Sequence, residues 1–409
     1  MNALLDRFCR YVKIETTASE DSDTYPSTAC QLDLSRLLTD ELKALKLDNV
    51  TMSEFGIVMA TIPGNVAGAP TTAWLAHVDT SPEYTAKGVK PIVHENYDGN
   101  DITLPGDTTK VIRVDETPEL AALKSKTLIT SDGTTLLGAD DKSGVAVIMT
   151  AADHLLSHPE IQHGPIRVVF TCDEEVGHGT DKLDLKEIGA TVAYTLDGED
   201  AGNLECETFS ADQAIVTVTG VNIHPGFAKG RMVNALRVAA AFLAEMPADT
   251  MSPETTEGRE PFMHPYIVEG GVPEVKIRII LRSFVTADLA DQAVSLRNIA
   301  EKVQVRFKGS KIDVEIQKQY RNMAEALEAE PRANALAQEA IRRAGMEPKC
   351  QSIRGGTDGS RLSEMGLPTP NLSVGMHNFH SPLEFACLQQ MEQAVKVLIE
   401  LAQLWGKER

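Results

Sequence analysis

Five short segments of this chain carry imidazole or carboxylate groups where a metal centre could form. His77-Val78-Asp79 closes the apolar run Trp74-Leu75-Ala76. Asp140 lies in Gly138-Ala139-Asp140-Asp141-Lys142-Ser143-Gly144. Glu174 and Glu175 come shortly after Val168-Val169-Phe170-Thr171, with Asp173 just before them. Asp197 ends Ala193-Tyr194-Thr195-Leu196, and His380 lies in His377-Asn378-Phe379-His380. Each group follows a β-like run or sits in a Gly-punctuated loop beside one. Open α/β sheets build their sites outside the carboxyl ends of their strands. Two histidines and several carboxylates gathered there form the ligand set of a zinc-type hydrolase with a paired metal centre.

Each piece also has an ordinary structural reading. His77 and Asp79 are two apart, so on a strand they start on the same face. Asp79 can then accept the second ring N–H of His77 and fix its tautomer; the alternative is a solvated turn. Asp140 can bridge two cations or cap the helix that follows, although Asp141 is the better cap candidate. Glu174 and Glu175 are adjacent and face different directions. One can ligate a metal while the other faces the water between the metals, or the pair is a solvated acidic turn. Cys172 belongs to the apolar run and reads as core.

Composition bounds the possibilities. The 409 residues allow two domains, or one large domain with an insertion. A formal charge of −20 argues against a nucleic-acid partner, which needs a basic face. The six cysteines are scattered with no C-x-x-C pair, as reduced thiols of a cytoplasmic protein would be. No apolar stretch approaches the roughly 20 residues of a membrane span, so no membrane partner is expected.

The elements that must position these groups alternate. A helix is expected over Met1–Lys13 and another over Ser27–Leu47, where Leu34, Leu37, Leu38, Leu42 and Leu45 form a stripe. Strands are expected at Ile57–Ile62, Thr72–Ala76, Ile166–Thr171 and Thr191–Leu196, with a helix over Lys142–Leu156. This predicts an α/β fold: a mixed, mostly parallel sheet with helices on both faces. From Ser210 to Tyr320 the order becomes β-α-β-β-α-β, a self-contained inserted unit. The expected domains are thus a discontinuous catalytic domain, 1–209 and 321–409, and an inserted lid and dimerisation domain, 210–320.

Together the segments resemble a known family. Leu75 to Thr80, Leu137 to Lys142, Asp173 to Gly177 and His380 with Glu384-Phe385 are similar to the site segments of the dizinc metallopeptidase superfamily. His77 to Pro82, Glu95-Asn96-Tyr97, Thr130 to Lys142, His224-Pro225-Gly226, Ala228-Lys229-Gly230 and Ile353 to Gly359 resemble its tripeptide aminopeptidases. The resemblance runs over nearly the whole chain.

It implies two zinc ions per subunit. His77 and Asp197 would each bind one ion, Glu175 and His380 the other, and Asp140 would bridge them, with a cis peptide to Asp141. Asp79 would orient His77. Glu174 would be the general base for attack by a zinc-bridging hydroxide on the N-terminal peptide bond of a tripeptide. His224 would donate to the carbonyl oxygen, from the partner subunit in a homodimer formed through the inserted domain. Arg282, placed like the matching arginine of those enzymes, or Arg354 would read the substrate carboxylate. The loop before His380 departs from the pattern: it also holds His377, and Ser381 stands where a glycine is expected. Either imidazole could ligate, and the register with Glu384-Phe385 favours His380. A carboxypeptidase or an N-acyl amino acid deacylase of the same superfamily is the alternative. A metal-binding regulatory protein without catalysis is a more distant one.

Overall fold

Thr72–His77 is buried along its whole length and forms a central strand of an 11-stranded mixed sheet in the computed structural model, which describes residues 3–409. A strand covered on both faces reads as a continuous apolar run rather than an alternating one. It pairs in parallel with Ile166–Thr171 on one side, where His77 lies opposite Thr171, and with Val192–Glu199 on the other. Asn371–His377 extends the parallel core beyond Val192–Glu199. The flanks are antiparallel: Val58–Ile62 pairs with Ile166–Thr171, and Phe385–Cys387 and Leu128–Thr130 continue past Asn371–His377.

Successive side chains of a strand point to opposite faces, and both faces are covered. Ala73, Leu75, Val169 and Ala193 pack with Leu362 and Leu367 on one face. On the other, the Tyr194 hydroxyl accepts the indole N–H of Trp405 at 2.9 Å, from the last helix, Leu388–Trp405. This is the α/β class that the alternation predicts.

The chain divides into two compact units. One takes in the residues up to Cys206, then Met323–Gln351 and Thr357–Arg409; the other is Glu207–Asn322 with Ser352–Gly356. The second unit runs strand Ser210–Thr219, helix Ala235–Glu245, strands Phe262–Gly270 and Glu274–Ser283, helix Asp288–Arg306 and strand Lys311–Tyr320. Its four strands form one antiparallel sheet. Val216, Val218, Ile277 and Ile279 face Val238, Phe242 and Leu296 of the two helices.

Several boundaries differ from expectation for identifiable reasons. The first helix is Ala3–Tyr11; Met1 and Asn2 of its expected span lie outside the described residues. The second begins at Gln31 rather than Ser27; ahead of it the Ser27 N–H donates to the carboxylate of Asp173 at 2.6 Å. The segment Ala139–Ser157 has non-helical dihedrals at Asp140 and Asp141, so its regular part starts after them, and the peptide between them is cis. The short strands Ile92–His94, Leu128–Thr130 and Phe385–Cys387 carry too few residues to show a period. Among the described residues no helix is long and apolar enough to cross a membrane.

Candidate metal centre

Two groups of three residues meet at the carboxyl ends of the parallel strands and share Asp140. Nε2 of His77 stands 3.0 Å from one carboxylate oxygen of Asp140 and 3.8 Å from Asp197. Nε2 of His380 stands 2.8 Å from Glu175 and 3.4 Å from the other oxygen of Asp140. Within each triad the possible ligand atoms all lie within 4.8 Å of one another. The five residues selected from the sequence as ligands therefore come together, with Asp140 offering one oxygen to each group.

Nearby residues hold these side chains in place. Nδ1 of His77 is 3.3 Å from the Asp79 carboxylate and 3.2 Å from the Asp79 carbonyl. The same carboxylate accepts the backbone N–H groups of Glu174 and Glu175, at 3.2 and 3.1 Å. Asp141 accepts the N–H of Gly144 at 3.1 Å, as a helix N-cap does, and that of His77 at 3.2 Å. The Asn371 side chain accepts the Asp197 N–H at 3.0 Å and donates to its carbonyl at 2.9 Å.

Sequence reasoning missed the part played by Glu384. Its buried carboxylate accepts the N–H groups of Leu137, Gly138 and Asp140, at 2.7, 2.7 and 3.0 Å, which sets the loop carrying Asp140. An acid set directly between Leu383 and the apolar Phe385-Ala386-Cys387 was the available signal.

The electrostatics call for cations. Burial opposes a charge on His380, but the carboxylates of Asp140 and Glu175 outweigh it and raise its pKa to about 11. His77 is raised in the same way by Asp140, Asp197 and Asp79 against its burial. Burial, and then the negative charge of Asp140, push Glu175 up to about 8 and Asp197 up to about 7. Glu174 is raised well above the usual carboxylate range, first by burial. The second carboxylate oxygen of Glu175 is buried without a hydrogen-bond partner. Imidazole nitrogens and carboxylate oxygens at this spacing, with a buried acceptor left over, fit a pair of divalent ions of the zinc class.

The remaining sequence candidates fall elsewhere. His377 is no loop residue: it ends strand Asn371–His377, is buried, and lies 2.7 Å from Gln390 while stacked on Phe385. Cys172 is buried in the core. In the second unit, His224 is exposed on its His-Pro-Gly turn. Arg282 there donates to the carbonyls of Asp212 and Leu281 and lies over the ring of Tyr320. Arg354 donates to the carbonyls of Gly258 and Glu260 and to Thr256, and lies over Phe209 and Phe262. These contacts hold both arginines within that unit.

Comparison with known proteins shows the family. Residues 124–404 match the profile of Peptidase family M20/M25/M40. Peptidase T of Geobacillus thermodenitrificans is 45% identical over 406 residues, 99% of this chain and 98% of that protein. Peptidase T of Bacillus subtilis is 45% identical over 400 residues, 98% of this chain and 97% of that one. The fold is also that of a solved tripeptidase from Staphylococcus aureus, with TM-score 0.77, 23% identity and coverage of 99% and 98% of the two chains. A dinuclear metal-binding M20 peptidase from Bacillus subtilis has TM-score 0.64 at 14% identity, over 98% and 97% of the chains. The chain belongs to peptidase family M20/M25/M40 and is a metal-dependent hydrolase of peptide bonds.

Proposed function

We propose that this protein is a tripeptide aminopeptidase that holds two zinc ions, one between His77 and Asp197, the other between Glu175 and His380, with Asp140 shared. The observation that carries this reading is the placement of Asp140, whose two oxygens face the two histidines separately, at 3.0 and 3.4 Å. Relatives named Peptidase T, about 45% identical over their full length, support the substrate class. When bound, such ions lower the pKa of water and polarise a carbonyl.

The protein's own residues do the rest. Glu174 takes a proton from the attacking water and delivers it to the leaving amine. Burial favours its protonated form, so the side chain can hold the proton it takes until the leaving amine accepts it. Asp79 keeps His77 in one tautomer and fixes the backbone at Glu174 and Glu175. His224 supplies a donor to the substrate carbonyl oxygen, from a partner subunit in a homodimer formed through the second unit.

The test is a pair of substitutions assayed on tripeptides beside N-acetylated amino acids. Glu174→Ala retains metal and loses roughly 10²–10⁴ in kcat. Glu175→Ala loses metal. Wild-type turnover in Glu174→Ala would reverse these two assignments, and preference for the acylated amino acids would favour the deacylase alternative.

A further inference from the structure

The loop carrying Glu174 and Glu175 is gripped by a segment that the metal chemistry does not use, Tyr25–Gln31. Asp173 is the turning point of that loop. Its φ is 64°, in the left-handed region that residues with a Cβ seldom adopt. Its polar groups are all engaged. Its N–H donates to Oε1 of Gln31 at 3.1 Å. One carboxylate oxygen accepts Nε2 of Gln31 at 2.6 Å and the Ser27 hydroxyl at 2.5 Å. The other oxygen accepts the Ser27 N–H at 2.6 Å, and the Asp173 carbonyl accepts the His178 N–H at 2.8 Å.

The grip extends to both ends of the loop. The Tyr25 hydroxyl donates to the carbonyl of Cys172 at 3.0 Å, with that of Gly179 at 3.4 Å. Gln31 is fully buried and Asp173 is 1% exposed, so these bonds form out of water and the unmade alternative is costly. The turn at Asp173 makes the next two backbone N–H groups, of Glu174 and Glu175, converge on the one carboxylate of Asp79.

We propose that Gln31 and Ser27 are positioning residues for hydrolysis: acting through Asp173, they hold the backbone turn that aims Glu174 at its working position. This rests on the reading of Glu174 as the base. Simple docking of the helix Gln31–Ala44 against the sheet would need no reciprocal amide pairing with a left-handed residue next to that base. A misplacement of about 1 Å of a reacting group can cost on the order of 10² in rate.

The test uses the full-length, metal-loaded chain. Gln31→Met and Ser27→Ala are each made alone and on a Glu174→Gln background. Four quantities are measured: kcat and KM on a tripeptide, bound metal, melting temperature, and hydrogen exchange at the amides of Asp173 to Glu175. Gln31→Met should lower kcat by about 10–100-fold with KM nearly unchanged. Metal content should stay at the wild-type level, and the three amides should exchange faster. On the Glu174→Gln background neither substitution should cost anything further, because groups that act as a unit are non-additive. Ser27→Thr should recover most of what Ser27→Ala loses.

An unchanged kcat, an undiminished loss on the Glu174→Gln background, or loss of metal would overturn the proposal. The last would mean that the grip serves Glu175 instead. If Gln31→Met does not fold, the Ser27→Ala cycle decides the question. Failure of the base reading is distinguishable, because Glu174→Gln alone would then turn over at the wild-type rate.

Discussion

One oxygen of the Asp79 carboxylate accepts the backbone N–H of Glu174 at 3.2 Å, and the same oxygen lies 3.3 Å from Nδ1 of His77. A single buried side chain thus ties the orientation of a metal-binding imidazole to the backbone of the proposed base. Asp79→Asn keeps the volume but removes the charge. We expect it to weaken metal retention by roughly 10–100-fold and to lower kcat even at saturating metal. Chelator competition followed by kinetics at restored metal separates the two effects. Wild-type values in both would sever the link.

Metal uptake should expel protons. Against its burial, the carboxylates of Asp140 and Glu175 raise the pKa of His380, so at neutral pH the metal-free protein holds a proton on the His380–Glu175 pair. Ligation needs both groups free of their protons. Calorimetry in buffers of different ionisation enthalpy should show net proton release, with apparent affinity rising as pH rises through about 8. Pure pH-independence would contradict this electrostatic picture.

The sign for stability follows from the same shifts. Glu175 is raised in the folded, metal-free protein, so its favourable contribution is complete below its ordinary value of 4.5 and is lost as pH rises through about 8. The melting temperature of metal-free protein should therefore fall across this window relative to that of metal-loaded protein. A parallel course of the two curves would exclude Glu175 as the source.

His224→Ala should reduce kcat more than it raises KM, because a donor to the developing oxyanion acts mainly in the transition state. If two subunits share sites, mixing His224→Ala with Glu174→Ala protein should restore part of the activity. No recovery after subunit exchange would assign His224 to its own chain's site or to none.

Arg282→Lys should impair hydrolysis of tripeptides while barely affecting their C-terminal amides, if the planar guanidinium reads the carboxylate. The selective loss would be roughly 1.5–3 kcal/mol. Equal losses on both substrates would leave Arg282 with the contacts it already makes, to the Asp212 and Leu281 carbonyls and the Tyr320 ring.

The sequence by itself determined the class of fold and the set of candidate ligands. Apolar runs ending in His77, in the Asp173–Glu175 turn and in Asp197 announce buried strands whose ends carry polar groups, because strand burial and ligand chemistry both leave local residue patterns. The resemblance favours His380 over His377 by its register with Glu384-Phe385, but the physical reason lies in the fold. Only the register of Asn371–His377 beside Phe385–Cys387 turns His377 into the core and leaves His380 beyond the strand end, facing Glu175. Sequence alone could not show that Glu384 fixes the Asp140 loop from 244 residues away, or that Gln31 grips Asp173 across 142. Such bonds join groups distant in the chain, and a hydrogen bond leaves no periodicity in either partner's neighbourhood. The ligand types are local chemistry, whereas their spacing and support are set by which strands pair and which loops the paired sheet brings together.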